Sequence, residues 1–180
     1  VNVNGDDVIN DFDRTVIGNP QPDFIFGFNN QFGYKNFDLS IFFQGSYGND
    51  IWNGVRVSHE GMESTYNQFT STLNRWNGEG SSNTMPRAIY ADPNRNNRAS
   101  TRWVEDGSYL RLKNLTFGYR FTQDWLKKIG AKSLRLYLSF DNLWTLTNYS
   151  GLDPEVGLWG LDYGIYPTSR VYMFGASVKF

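Results

Sequence analysis

Hydrophobic and polar positions alternate with a period of two in five separate segments, while helical periodicity is nearly absent. The last segment places Tyr172, Phe174, Ala176, Val178 and Phe180 on one face and Met173, Gly175, Ser177 and Lys179 on the other. Before it, Leu134, Leu136, Leu138 and Phe140 alternate with Arg135, Tyr137, Ser139 and Asp141. Between Tyr109 and Phe121 the apolar set is Leu110 and Leu112, then Leu115, Phe117, Tyr119 and Phe121. The phase slips once near Lys113-Asn114, which predicts a β-bulge. Phe37, Leu39, Ile41 and Phe43 alternate with Asp38, Ser40, Phe42 and Gln44. Phe24, Phe26 and Phe28 alternate with Ile25, Gly27 and Asn29 in a segment continuing to Tyr34.

Extended to its neighbouring turns, each segment reaches the roughly 9–11 residues a tilted strand needs to cross a bilayer's hydrocarbon layer. The connections alternate short and long. Tyr34-Lys35-Asn36 is a tight hairpin and a modest linker joins Thr122 to Ser133, whereas long polar stretches run from about Gly48 to Ser108 and from about Asn148 to Thr168. Short turns at one end and long loops at the other predict an all-β, antiparallel transmembrane barrel, with the short turns and the C-terminus in the periplasm and residues 1–20 outside. A soluble antiparallel sandwich would alternate too. Against it, soluble strands average about five or six residues and a loop near 60 residues is unusual in a compact domain. Aromatics near the expected strand ends (Tyr34, Phe37, Tyr47, Trp103, Trp144 and Tyr149) suggest an interfacial girdle. Five strands cannot close, because an open edge in lipid leaves backbone groups unpaired, and the smallest single-chain bacterial barrels have about eight strands. The remaining strands are expected from further sequence or from other chains, and a start at Val1 without Met suggests a processed or excised chain.

Composition sharpens this picture. Aromatics make up 17% of the chain, yet mean hydropathy is −0.52, as expected when rings occupy one face and polar groups the other. No apolar run is long enough for a transmembrane helix. A net charge of −1 argues against a nucleic-acid partner. The absence of cysteine excludes disulfides, zinc–thiolate sites and cysteine nucleophiles.

Several motifs, in order, resemble the SusC/RagA family of TonB-dependent outer-membrane transporters. They are Asp13-Arg14-Thr15-Val16-Ile17-Gly18-Asn19-Pro20 with Pro22-Asp23-Phe24, and Asn36-Phe37-Asp38-Leu39-Ser40 leading to Phe43-Gln44-Gly45-Ser46-Tyr47-Gly48-Asn49-Asp50. Then come Arg102-Trp103-Val104-Glu105-Asp106-Gly107-Ser108-Tyr109-Leu110-Arg111-Leu112-Lys113-Asn114-Leu115, Asp141-Asn142-Leu143-Trp144-Thr145-Leu146-Thr147-Asn148-Tyr149-Ser150-Gly151-Leu152-Asp153-Pro154-Glu155, and Asp162-Tyr163-Gly164-Ile165-Tyr166-Pro167. The resemblance spans essentially the whole chain. It implies the last five strands (21–180) of a larger, about 22-stranded, plugged barrel. It further implies import of oligosaccharides, glycans or peptides, energy passed by TonB to an N-terminal part outside this sequence, and a SusD-like surface lipoprotein as lid.

Four groups of residues carry candidate chemistry. Asn2, Asn4, Asp6, the Val8 carbonyl, Asn10 and Asp13 stand at positions 1, 3, 5, 7, 9 and 12 of an EF-hand-type loop, with apolar Ile9 after the carbonyl. That spacing suits calcium, although Asp7 stands where glycine is expected and Asn2 lacks a charge. The bland alternative is a turn held by side-chain to backbone bonds. Trp52, Trp76 and Trp159, in the expected outer loops, could stack on a substrate or a lid, or simply pack the loops together. Tyr172, Phe174, Ala176, Val178 and Phe180 resemble the signal read by the barrel-assembly machinery, and would equally face lipid. His59 is the sole histidine. No acid, base and nucleophile set surrounds it, so an enzyme is not expected. Arg135, Asp141 and Lys179 are expected to satisfy the barrel interior. Two functions remain open, energised nutrient import and a scaffold role in an outer-membrane complex.

Overall fold

The structure, a computed structural model, describes residues 2–8 and 10–180. Eight strands follow one another: β1 (Phe24–Tyr34), β2 (Phe37–Tyr47), β3 (Asp50–Asn53), β4 (Val104–Asp106), β5 (Tyr109–Phe121), β6 (Ser133–Thr147), β7 (Leu161–Asp162) and β8 (Val171–Lys179). One short helix, α1 (Gly54–Glu60), follows β3 directly, with Asn53 capping it by accepting the Arg56 N–H at 3.0 Å. The five long strands form one antiparallel sheet in the order β1-β2-β5-β6-β8. The three short strands form a second sheet, β4-β3-β7, in which β3 and β7 run parallel.

The period-two pattern becomes rows across the large sheet. Phe32, Leu39, Phe117, Leu138 and Phe174 pair in register from β1 to β8, and the next row is Gln31, Ser40, Thr116, Ser139 and Met173. One face is therefore apolar and has nothing packed on it, with Phe32 58% and Phe174 71% exposed. The other face is polar and cross-linked. Thr116 and Ser139 share a hydroxyl hydrogen bond at 2.8 Å, and Asn114 donates to Asp141 at 2.7 Å. Asp38 on β2 and Arg135 on β6 form an ion pair across the intervening β5. Gly118 makes that reach possible, since a Cβ there would lie 2.7 Å from both the Asp38 carboxylate and the Arg135 guanidinium.

The bulge lies where the phase slips. Asn114 pairs with Phe42 and Leu112 with Phe43, so Lys113 is the extra residue against β2. The shift keeps Leu112 and Leu115 on the apolar face. At one end of the sheet lie the Lys35-Asn36 turn and the linker at 122–132, tied by Arg120 N–H to Asn36 O at 2.8 Å and by Lys132 N–H to Lys179 O at 2.7 Å. The opposite end carries the small sheet, α1 and both long connections. Among the described residues, buried apolar side chains concentrate there, namely Ile51, Met62, Trp103 and Tyr149, with Leu126 and Ala131 at the other end.

Candidate functional site

The stretches expected as long loops carry the small sheet and α1, which form an ordered crown around a buried polar cluster. Glu105 on β4 is its centre. It accepts from Arg56 Nη1 at 2.9 Å, Asn53 Nδ2 at 3.0 Å, and both the N–H and the hydroxyl of Ser150 at 2.9 Å. Burial alone would push the Glu105 carboxyl up, but those bonds outweigh it and hold it below the ordinary glutamate value. Arg56 also donates to Glu60 at 2.9 Å, and Glu60 accepts from Ser71 Oγ at 2.6 Å. The fully buried Trp103 ring lies under two guanidinium groups, Arg102 at 4.2 Å and Arg56 at 5.8 Å from its centroid. Tyr149 donates its hydroxyl to Asp162 at 2.6 Å. Burial first and the Asp162 carboxylate second push that phenol's pKa up.

A second cluster ties the 148–168 stretch to the large sheet. Arg111 on β5, buried on the polar side, donates to Thr145 at 3.0 Å, to Glu155 at 2.9 Å and to Asp153. Asp153 also accepts the Glu155 N–H at 3.0 Å and the Thr168 N–H at 2.9 Å. Burial opposes its charge, yet these donors hold its carboxyl below the ordinary value. Both clusters were missed as sites in the sequence, although Glu105, Asp153 and Glu155 all lie in the motifs quoted above.

The expected site residues fall in different places. Trp52 on β3 is half-buried and donates its backbone N–H to Gly160 O at 2.7 Å. Trp159 is 81% exposed. Trp76 lines a cavity of about 400 Å³ with Met85 and Arg87. A more apolar cavity of about 480 Å³ lies among Val55, Phe69, Leu152 and the Arg56–Glu60 pair, and none of the three tryptophans lines it. Of the expected girdle, Tyr34, Tyr47 and Trp144 are exposed, but Trp103 and Tyr149 are buried in the crown. Those two rings belong to a core, because their polar atoms have partners there, Arg98 O for the indole and Asp162 for the phenol. His59 stacks on Phe69 at 5.0 Å and bonds Val55 O through Nδ1. Tyr172, Phe174, Ala176 and Val178 sit on the apolar face of β8, opposite Phe140, Leu138, Leu136 and Leu134.

In the first loop, the side chains of Asn2, Asn4, Asp6, Asn10 and Asp13, expected as calcium ligands, all accept backbone N–H groups. Asn2 takes Gly5, Asn4 takes Asp6, Asp6 takes Val8 and Asn10 takes Phe12. Asp13 takes Val3 and Asn4 through one oxygen and Asn10 through the other, bonds that hold its carboxyl below the usual aspartate value, the Asn10 N–H most of all. Asp7 makes the sharp turn expected of glycine, at φ +64°. The loop thus holds its shape through its own side chains, and every accepting side-chain oxygen except the Asp13 oxygen shared by Val3 and Asn4 keeps a second lone pair for a cation. Among the described residues no three His, Cys, Asp or Glu side chains gather as a metal cluster, and Ile9 lies outside them.

No family model matches the chain. It is 40% identical to TonB-dependent receptor P3 of Formosa agariphila over 99% of its own length and 18% of the relative's. Identity is 33% to receptor P26 of the same organism, over 98% of this chain and 19% of the relative, and 29% to TonB-dependent receptor SusC of Bacteroides thetaiotaomicron, over 100% and 17%. Its homologues are TonB-dependent receptors. The fold agrees: the RagAB peptide importer in its closed-closed state superposes with a TM-score of 0.79 at 27% identity, over 92% of this chain and 18% of that one. In its open-open state the TM-score is 0.74 at 26% identity, over 89% and 17%. The chain thus spans less than a fifth of the relatives it matches. TonB-dependent receptors are outer-membrane proteins, and the large sheet matches their barrel. Its apolar face is then the lipid face and its polar face the interior, which explains why rings stay uncovered on one side while Asp38, Arg135 and Arg111 pair on the other.

Proposed function

We propose that this chain supplies wall strands and an outer crown to a TonB-dependent importer of oligosaccharides or peptides. The observation that carries the reading is the 40% identity to TonB-dependent receptor P3 across 99% of the chain. In this reading the remaining strands, the plug and the segment that meets TonB lie elsewhere in the polypeptide, and the barrel-assembly machinery reads the β8 pattern ending at Phe180. A SusD-like lipoprotein closes over the crown. The C-terminus faces the periplasm, a reading supported by its place beside both short connections. The relatives carry the names of receptors and importers, in keeping with transport rather than catalysis. The test is uptake of labelled oligosaccharides and peptides by cells with and without the whole receptor, and with TonB deleted. Uptake that needs both supports the reading, and uptake indifferent to both overturns it.

For residues 2–13 we propose calcium as a weak structural ligand, in the roughly 0.1–1 mM range of extracellular sites. Alternating oxygens with free lone pairs support it. Calorimetric titration of the whole receptor should show a site lost in Asp13→Asn, and no heat at millimolar calcium overturns it.

A further inference from the structure

The polar side chains that wall the 480 Å³ cavity are already hydrogen-bonded, and the first loop already carries the calcium proposal. The 400 Å³ cavity differs. It is lined by Trp76, Asn83, Thr84, Arg87, Asn96 and Arg102 among others, two cations and no carboxylate. The surplus extends to the whole stretch. Between Met62 and Trp103 the sequence has five arginines, no lysine and three carboxylates, in a chain whose net charge is −1. Among the described residues none of these five arginines has an ion-pair partner. Arg102 is half-buried and spends one guanidinium hydrogen bond on the Glu60 carbonyl, at 3.2 Å. Arg87 lies over the Trp76 ring, 6.0 Å from its centroid, so one cation and one aromatic surface share a wall.

Guanidinium forks match carboxylate and sulfate oxygens, and a partly desolvated arginine gains most from an arriving anion. We propose that this cavity binds the acidic group of an acidic oligosaccharide, a carboxylate or sulfate on a sugar ring, between Arg87 and Arg102 with the ring against Trp76. The proposal rests on the import reading above and gives it a substrate class. A sugar fits better than a peptide because the short amide and hydroxyl side chains of Asn83, Thr84 and Asn96 match a hydroxylated ring. A peptide captured by strand addition needs a free strand edge, and no strand lies between residues 54 and 103.

Calorimetry on the purified whole receptor, with trigalacturonate, a sulfated trisaccharide and neutral maltotriose, tests it. At least one acidic ligand should bind tenfold or more tightly than maltotriose, and added salt should weaken it. The carboxylate and sulfate arms tell the two acidic groups apart. Arg87→Gln, at an exposed position, should weaken the acidic ligand about tenfold more than it weakens maltotriose and leave thermal unfolding unchanged. Arg102→Gln should act in the same direction. Because Arg102 also stacks on Trp103, Arg87→Gln carries the decision. Equal affinity for acidic and neutral sugars, no heat from either acidic ligand, or no effect of Arg87→Gln overturns the proposal. So does an acidic peptide that binds with the same dependence on Arg87. Cellular uptake separates the two readings: a receptor that imports neutral sugars by TonB but ignores charge loses only this subsite, whereas TonB-independent uptake defeats the import reading itself.

Discussion

At Glu105 four donors from two distant stretches of chain meet one carboxylate. Its side chain is 14% exposed and that of Arg56 25%, so the pair sits between surface and interior. Removing the acid strands Arg56 between Glu60 and the Trp103 ring. Glu105→Ala should cost the crown about 2 kcal/mol, below the range for fully buried pairs. Hydrogen exchange in the whole receptor should then rise in residues 48–60 and 148–165 while the long strands stay protected. Acid should do the same without mutation. The carboxyls of Glu105 and Asp153 are both lowered in the folded state, so their stabilisation is complete above the unfolded values of 4.5 and 3.8 and is lost as pH falls below them. Exchange corrected for its intrinsic pH dependence should be flat from neutral pH to about 5 and rise below 4. Loosening on the alkaline side instead would contradict the assignment.

Among the elements, the long strands were legible because alternation over nine or more residues has no helical counterpart. The Lys113 bulge was legible too, since one extra residue inverts every face beyond it. The crown was not. Four-residue β3 and two-residue β7 are too short to show a period, and their parallel pairing joins residues more than a hundred positions apart. Arg56 and Glu105 lie 49 residues apart, with nothing local to link them. Trp103 and Tyr149 read as girdle from position alone; only tertiary structure shows the partners that bury them. Deleting Lys113 tests the bulge. Without it, Leu110, Leu112, Leu115 and Phe117 alternate in strict period two and can keep their partners on β2, with Tyr109 and Arg111 still on the polar face. The receptor should therefore keep its heat-modifiable folded band on electrophoresis, and loss of that band would count against the assigned register.

At the scale of the molecule, the large sheet has two open edges, β1 and β8, and an uncovered apolar face. In lipid each unpaired backbone group costs several kcal/mol. The 180 residues delivered alone to the periplasm should therefore yield no protease-resistant membrane species, whereas the whole receptor does. A stable, inserted 180-residue product would mean that copies of this chain close the barrel between them.

Lipid on one face of the large sheet and a polar interior on the other can be measured directly. The absence of cysteine makes single-cysteine labelling of this stretch clean. Spin labels placed one at a time from Leu134 to Phe140 on β6, in the whole receptor reconstituted into bilayers, report collision with dissolved oxygen and with a water-soluble nickel chelate. Oxygen accessibility should peak at Leu134, Leu136, Leu138 and Phe140 and fall at Arg135, Tyr137 and Ser139. Accessibility without a period of two, or with high chelate collision at the leucines, would contradict the account.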